Sequence, residues 1–183
     1  QKPKWIVGYS DVTVLHAKMQ SLGIESLHAT MPINFQDNSK QALDTLFDAL
    51  CGKEIKYDLP QQTLDILSTM QGEVVGGNIS VLYSLLGSDI FPDVEGKVLF
   101  LEDLDEYLYH IDRMMMAFQR AGIFDKISGL IIGGLTKMHD NAIPFGMTAE
   151  EIISEKIKDK NIPTVFNFPA GHINDNRAII LGR

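Results

Sequence analysis

The chain has 183 residues, 45% of them hydrophobic and 22% charged, with a formal net charge of −8. That length holds one sizeable core, or one domain with part of another, and the scattered Lys and Arg exclude a nucleic-acid groove and a basic membrane-surface patch. A single cysteine, Cys51, excludes an internal disulfide and a cysteine-based zinc site, and no stretch approaches the ~20 apolar residues of a membrane span.

Apolar periodicity alternates between strand and helix along the chain. The run "KWIVGY" predicts a short buried strand, and Ser10 to about Leu22 a helix closed by Gly23. Residues 24–36 are expected to form an irregular loop, followed by a helix capped by Asp37 or Asn38 and reaching about Leu50. Between 53 and 75, "EIKYDL", "TLDILS" and "GEVV" are strand candidates with a break at Pro60. Gly76-Gly77 reads as a tight turn feeding an Asn78-capped helix, "NISVLYSLLG". The strand "KVLFLE" leads through an acidic turn into a helix ending at Arg120. That helix carries Tyr107, Ile111, Met114, Met115 and Phe118 on one apolar face. "GLIIGGL" is a strand, 148–158 a helix, and "IPTVFNF" and "RAIILG" are the last two strands.

This alternation gives the α/β class, with a mixed, partly parallel sheet. The chain starts almost directly on a strand, ends on one and lacks an initiating Met, so a fragment is expected. The expected division is a remnant of an N-terminal domain over 1–51 and a C-terminal domain over 52–183.

In α/β sheets, functional groups gather on loops at the carboxyl ends of strands. Three polar positions meet that condition: Ser10 after "KWIVGY", Glu102 at the end of "KVLFLE", and His172 in "PAGHIND". A hydroxyl, a carboxylate and an imidazole together follow the logic of a serine-hydrolase triad. Each also has a plain structural reading. Ser10 could be a helix cap, Glu102 part of a solvated acidic cluster, and His172 a loop residue bonded to backbone. "GYSDV" is not the G-x-S-x-G elbow. A metal centre on Glu102, Asp103 and Asp105, or on Glu102, Asp103 and His172, is a further alternative without recognised ligand spacing. Of the other histidines, His16 and His110 fall within helices, His139 in a polar loop, and His28 in the irregular loop, where it could line a site.

The blocks "VGYSDVTVLH", "GGNISVLYSLLGS", "GKVLFLEDLDEYLYHIDRMM" and "FPAGHINDN", in that order, resemble the LD-carboxypeptidase family of serine peptidases. These are the muramoyltetrapeptide carboxypeptidases, with the microcin C-cleaving enzymes as a side branch. The resemblance implies a Ser-Glu-His triad at Ser10, Glu102 and His172, and release of terminal D-alanine from murein tetrapeptide through an acyl-enzyme. It implies the backbone N–H of Asp11 as an oxyanion donor, a cytoplasmic role in peptidoglycan recycling, and no cofactor or metal. Gly76, Gly77, Asn78 and Asp103 are candidate substrate-binding residues. Partners are then the murein tetrapeptide and a second copy of the full-length protein in a homodimer, with no nucleic acid and no membrane. A non-catalytic peptide-binding domain of the same fold is the competing class.

Negative charge on Asp103, Asp105 and Glu106 is expected to repel a phosphate-bearing nucleotide, which favours the murein branch. "HATMP" at 28–32 departs from the family's His-Gly-Pro-Met pattern. A second oxyanion donor is expected from outside this chain, so the 183 residues alone are expected to be inactive or nearly so.

Overall fold

The computed structural model describes residues 4–183. Two sheets organise it. One has three strands in the order β1 (Val7–Gly8), β2 (Ser26–His28), β7 (Ile179–Leu181), with β1 parallel and β7 antiparallel to β2. The other is fully parallel, β3 (Val74–Asn78), β4 (Val98–Leu104), β5 (Gly129–Thr136), β6 (Thr164–Val165). The helices are α1 (Thr13–Ser21), α2 (Lys40–Leu50), α3 (Gln61–Thr69), α4 (Ile79–Leu85), α5 (Leu108–Arg120) and α6 (Ala149–Ile157). The expected α/β class with mixed and parallel pairing is what the chain adopts.

Alternation along β4 decides what each face of the parallel sheet carries. Leu99 and Leu101 join Leu130 and Ile132 of β5 under α4, α5 and α6, where Ile111, Met114, Met115 and Phe118 are buried. Val98 and Phe100 face the other way, onto Ile131, Val165, Phe168, Ile179 and Leu181. Glu102 continues the Val98–Phe100 parity and so points towards the side on which β7 lies. The chain crosses from the parallel sheet to the three-stranded sheet between β6 and β7, and that crossing carries His172.

Several expected elements are corrected. "TLDILS" lies in helix α3, not a strand: Leu64, Ile66 and Leu67 follow helical spacing, and Ile66 and Leu67 pack against the Val98–Phe100 face. The irregular loop at 24–36 contains β2, which gains partners on both sides, Leu27 pairing with Val7 and with Ile180. Ser39, not Asp37 or Asn38, caps α2, its side chain accepting from the Ala42 N–H at 3.0 Å. Gly76-Gly77 is strand, not turn. A Cβ at Gly76 would sit 2.0 Å from the Phe100 carbonyl oxygen, so close strand approach excludes a side chain there. Tyr107 sits at the N-cap of α5 and is exposed, outside the buried stripe.

Candidate active site

Ser10 follows β1 by two residues and opens a turn of 3-10 helix, Ser10–Val12, that runs into α1. Its φ is +62°, in the left-handed region that non-glycine residues rarely occupy. Neither the 3-10 turn nor α1 has a side-chain cap, so the capping reading of Ser10 is overturned. The approach to this turn is fixed from two directions. The Gly8 carbonyl accepts from His16 Nε2 at 2.9 Å and from the Ala29 N–H at 3.1 Å. The first bonded amide of the turn is that of Val12, to the Tyr9 carbonyl at 3.2 Å, which leaves the Asp11 N–H ahead of it free.

Glu102 is fully buried. Its Oε2 accepts from His172 Nδ1 at 2.7 Å and from the His172 backbone N–H at 3.2 Å. The register of β4 against β5 shifts between Leu101 and Asp103, an irregularity of the kind that re-aims side chains beside functional sites. The His172 loop closes tightly over Glu102. A Cβ at Gly171 would lie 2.7 Å from Glu102 Oε2, and one at Gly133 would lie 2.4 Å from the Ala170 carbonyl oxygen. Both glycines therefore belong to the site's construction. The loop is pinned by Gly134 N–H to Ala170 O (2.9 Å), Gly171 N–H to Asn176 Oδ1 (2.8 Å) and Thr136 Oγ1 to His172 O (3.2 Å).

Donation from Nδ1 to the carboxylate leaves His172 Nε2 as the basic nitrogen. Burial by itself would lower the His172 pKa. The hydrogen bond and charge of Glu102, with Asp103 and Asp11 adding to them, outweigh it and hold His172 above its ordinary value. Tyr9 packs edge-on against the imidazole, ring centroids 4.8 Å apart, and its hydroxyl donates to Asn34 Oδ1 at 3.2 Å. Among the described residues no hydrogen bond joins Ser10 to His172, and such contacts often tighten only when substrate binds.

Asn78 and Asp103, both candidate substrate contacts, are buried and bonded to other groups of the protein. Asn78 pairs in register with Glu102. Its Nδ2 donates to Asp103 Oδ1 at 3.0 Å and lies 3.4 Å from Glu102 Oε1, while its Oδ1 accepts from Ser80 Oγ and the Val81 N–H. The Asn78 N–H donates to Thr13 Oγ1 on α1 at 3.0 Å, so this residue ties the helix behind Ser10 to the carboxylate pair. Gly77 faces the same hydroxyl, and a Cβ there would approach it to 2.5 Å. Gly76 and Gly77 are buried within β3, Gly76 against the β4 backbone and Gly77 against Thr13. Burial pushes Asp103 up to about 6, against the pull of hydrogen bonds from the Leu104 N–H, Asn78 and the Ser80 N–H.

Of the three acids expected to put negative charge beside the site, Asp103 is buried, Asp105 is exposed and bonded to His139 at 2.5 Å, and Glu106 is bonded to His110 at 2.6 Å. Among the described residues no three His, Cys, Asp or Glu side chains gather as a metal site. His16 is structural, its two ring nitrogens bonded to Ser26 Oγ and Gly8 O at 2.9 Å each. His28 lies in β2, fully buried, with neither ring nitrogen partnered. Burial, then the nearby His16 and His172, lower its pKa to about 3.

A cleft of about 290 Å³ opens at His172, lined also by Tyr9, Asn34, Asp37 and Lys137. A larger groove of about 590 Å³ runs along α5, lined by Tyr83, Tyr109 and Arg113, and contains none of the residues assembled above. Chemistry rather than size places the site at His172.

Residues 71–183 match the model of the LD-carboxypeptidase C-terminal domain, and residues 1–29 that of the LD-carboxypeptidase N-terminal domain. The chain belongs to the LD-carboxypeptidase family. A Synechocystis sp. protein provisionally named a carboxypeptidase is 31% identical over 99% of this chain and 60% of its own. The probable murein peptide carboxypeptidase of Bacillus subtilis is 31% identical over 98% of this chain and 58% of its own. The crystal structure of muramoyltetrapeptide carboxypeptidase from Oxalobacter formigenes shares the fold, with a TM-score of 0.79 at 24% identity over 98% of this chain and 63% of that one. The chain thus spans about three fifths of the length of these family members. No helix among the described residues is long and apolar enough to cross a membrane.

Sequence reasoning singled out Ser10, Glu102 and His172. It missed Tyr9, Thr13, Gly133 and Gly171, which hold them. The Gly of "PAGH" was the one available signal, a glycine immediately before the functional histidine.

Proposed function

We propose that the full-length protein is a serine-type LD-carboxypeptidase that releases terminal D-alanine from murein tetrapeptide. One observation carries the reading: a buried Glu102 fixes the Nδ1–H tautomer of His172 at a strand-end cleft, while Ser10 occupies a left-handed turn at the end of another strand. The name of the relative in Bacillus subtilis, a probable murein peptide carboxypeptidase, supports the substrate class.

In this reading His172 Nε2 takes the proton from Ser10 Oγ as the hydroxyl attacks the carbonyl carbon of the scissile amide. The Asp11 N–H donates to the developing oxyanion, joined by a donor from outside this chain. The C–N bond breaks as His172 returns the proton to the leaving amine, freeing D-alanine and leaving an ester on Ser10. Water then gives a proton to His172 and attacks that ester; the acyl–Oγ bond breaks, His172 returns the proton to Ser10 Oγ, and the shortened peptide leaves with a free carboxylate. Glu102 holds the imidazole in one orientation and stabilises the imidazolium throughout.

The test is incubation of the full-length protein with tetrapeptide and with DD-terminated pentapeptide. D-alanine release from the tetrapeptide, lost in Ser10→Ala, is the expected result. Preferential release from the pentapeptide, or near-normal turnover by Ser10→Ala, overturns the reading.

A further inference from the structure

We propose that Lys137 holds the free α-carboxylate of the substrate's C-terminal residue, which would make the site one for chain ends rather than for internal bonds. The inference rests on the carboxypeptidase reading above.

The first support is position. Lys137 lines the same cleft as His172 and is the only Lys or Arg among its lining residues. It directly follows Thr136, whose hydroxyl donates to the His172 carbonyl at 3.2 Å, so residue 137 is anchored to the loop that carries the imidazole. It also lies just past the carboxyl end of β5, the end of a parallel strand at which ligands gather.

Backbone shape is the second support. Lys137 has φ +52°, and it is one of four non-glycine residues in the left-handed region, with Ser10, Asp105 and Asn167. A lysine gains nothing intrinsic from that conformation, which persists where surrounding structure imposes it and recurs at ligand clamps.

Charge is the third. Lys40, Lys53, Lys97, Lys156, Lys158 and Lys160 form ion pairs, whereas Lys137, like Lys4, Lys18, Lys56 and Lys126, forms none among the described residues, and of those five it alone lines this cleft. Arg177, outside the cleft lining, is already committed to Asp175 and the Asp58 carbonyl. An anionic chain end entering this cleft meets Asp37 at its wall and Glu102 behind the imidazole. Both repel a carboxylate, and the unpaired ammonium of Lys137 is the group in the cleft wall that attracts it.

The experiment measures binding without turnover. Full-length protein carrying Ser10→Ala is titrated calorimetrically with murein tetrapeptide and with the same peptide ending in a carboxamide, with Lys137 present, with Lys137→Met and with Lys137→Arg. A charged hydrogen bond of this kind predicts at least about tenfold tighter binding of the free acid. That preference disappears in Lys137→Met and is largely kept in Lys137→Arg. A Lys137→Met protein that retains the preference overturns the proposal, as does equal binding of the two peptides when Lys137 is present. D-alanine release by the protein with Ser10 intact reports separately on the carboxypeptidase reading: a protein that prefers the free acid through Lys137 yet releases none loses that reading and keeps the carboxylate site.

Discussion

One oxygen of Glu102 grips His172 twice, through Nδ1 at 2.7 Å and through the backbone N–H at 3.2 Å. The two contacts fix the ring's tautomer and the height of the loop together. A residue held at both its main chain and its side chain has little freedom to turn its second nitrogen away from the cleft.

Glu102→Gln separates those two effects. An amide can still accept from the backbone N–H, but it offers the imidazole no charge and stabilises the wrong tautomer as readily as the right one. The expected result is a fall in kcat on the order of 10⁴-fold with KM little changed. Steady-state kinetics on the full-length protein check it, and an equal loss carried by KM would place Glu102 in binding instead.

The pH–rate profile follows from His172. The proposed mechanism requires its basic form, and its pKa is held above the ordinary histidine value, so kcat/KM is expected to fall as pH drops through a midpoint above about 6.5. Stability runs the other way. A raised folded-state pKa contributes stability present below the unfolded value and lost as pH rises through the folded one. Removing the charge with Glu102→Gln moves the acid limb of the residual activity to lower pH.

His28 supplies the opposite sign. Its folded pKa of about 3 lies below the unfolded value of about 6.5, so the unfolded chain takes up a proton in that interval and the folded chain does not. Its contribution to stability is intact above 6.5 and is lost towards pH 3, at up to about 1.4 kcal/mol per pH unit. Because neither ring nitrogen has a partner, His28→Leu removes that loss without orphaning another group. Denaturant midpoints measured from pH 7 to pH 4 are expected to decline less steeply in the variant, and parallel declines would contradict the assignment.

Thr13 and Gly77 join the two halves of the site. Thr13→Val removes the acceptor of the Asn78 N–H within a buried contact, at an expected cost of about 1–3 kcal/mol. Gly77→Ala pushes a methyl group to within 2.5 Å of the same hydroxyl and displaces α1, so turnover is expected to fall by a larger factor than in Thr13→Val. Melting curves and kcat measured on both variants decide whether this contact aligns the site.

The sequence made the order of elements legible because each long helix and strand carries a clean apolar period. It was silent where tertiary partners decide. β2 is three residues long and reads as loop until β1 and β7 close on it. α3 has no buried residue of its own, so its apolar side chains fit an edge strand as well as a helix. In the site, strand-end position and residue type were enough to select Ser10, Glu102 and His172. The role of Asn78 was not legible, because an Asn at a helix start is already accounted for as a cap, and only the register of β3 on β4 reveals its second duty. Asp103 looked like an exposed charge for the same reason: adjacency in sequence says nothing about Asn78 and the Ser80 N–H, which meet it in the fold.

The crossing between β6 and β7 has a consequence for how the protein can be handled. Ser10 rides on the three-stranded sheet, Glu102 on the parallel one, and His172 on the segment that leaves one for the other. In the proposed mechanism the nucleophilicity of a single hydroxyl is thereby a vernier on the alignment of two sheets. A fluorescent electrophile directed at Ser10 would dim under mild denaturant while helical ellipticity still held, giving a one-residue optical gauge of inter-sheet slippage for screening stabilising additives or crystallisation buffers.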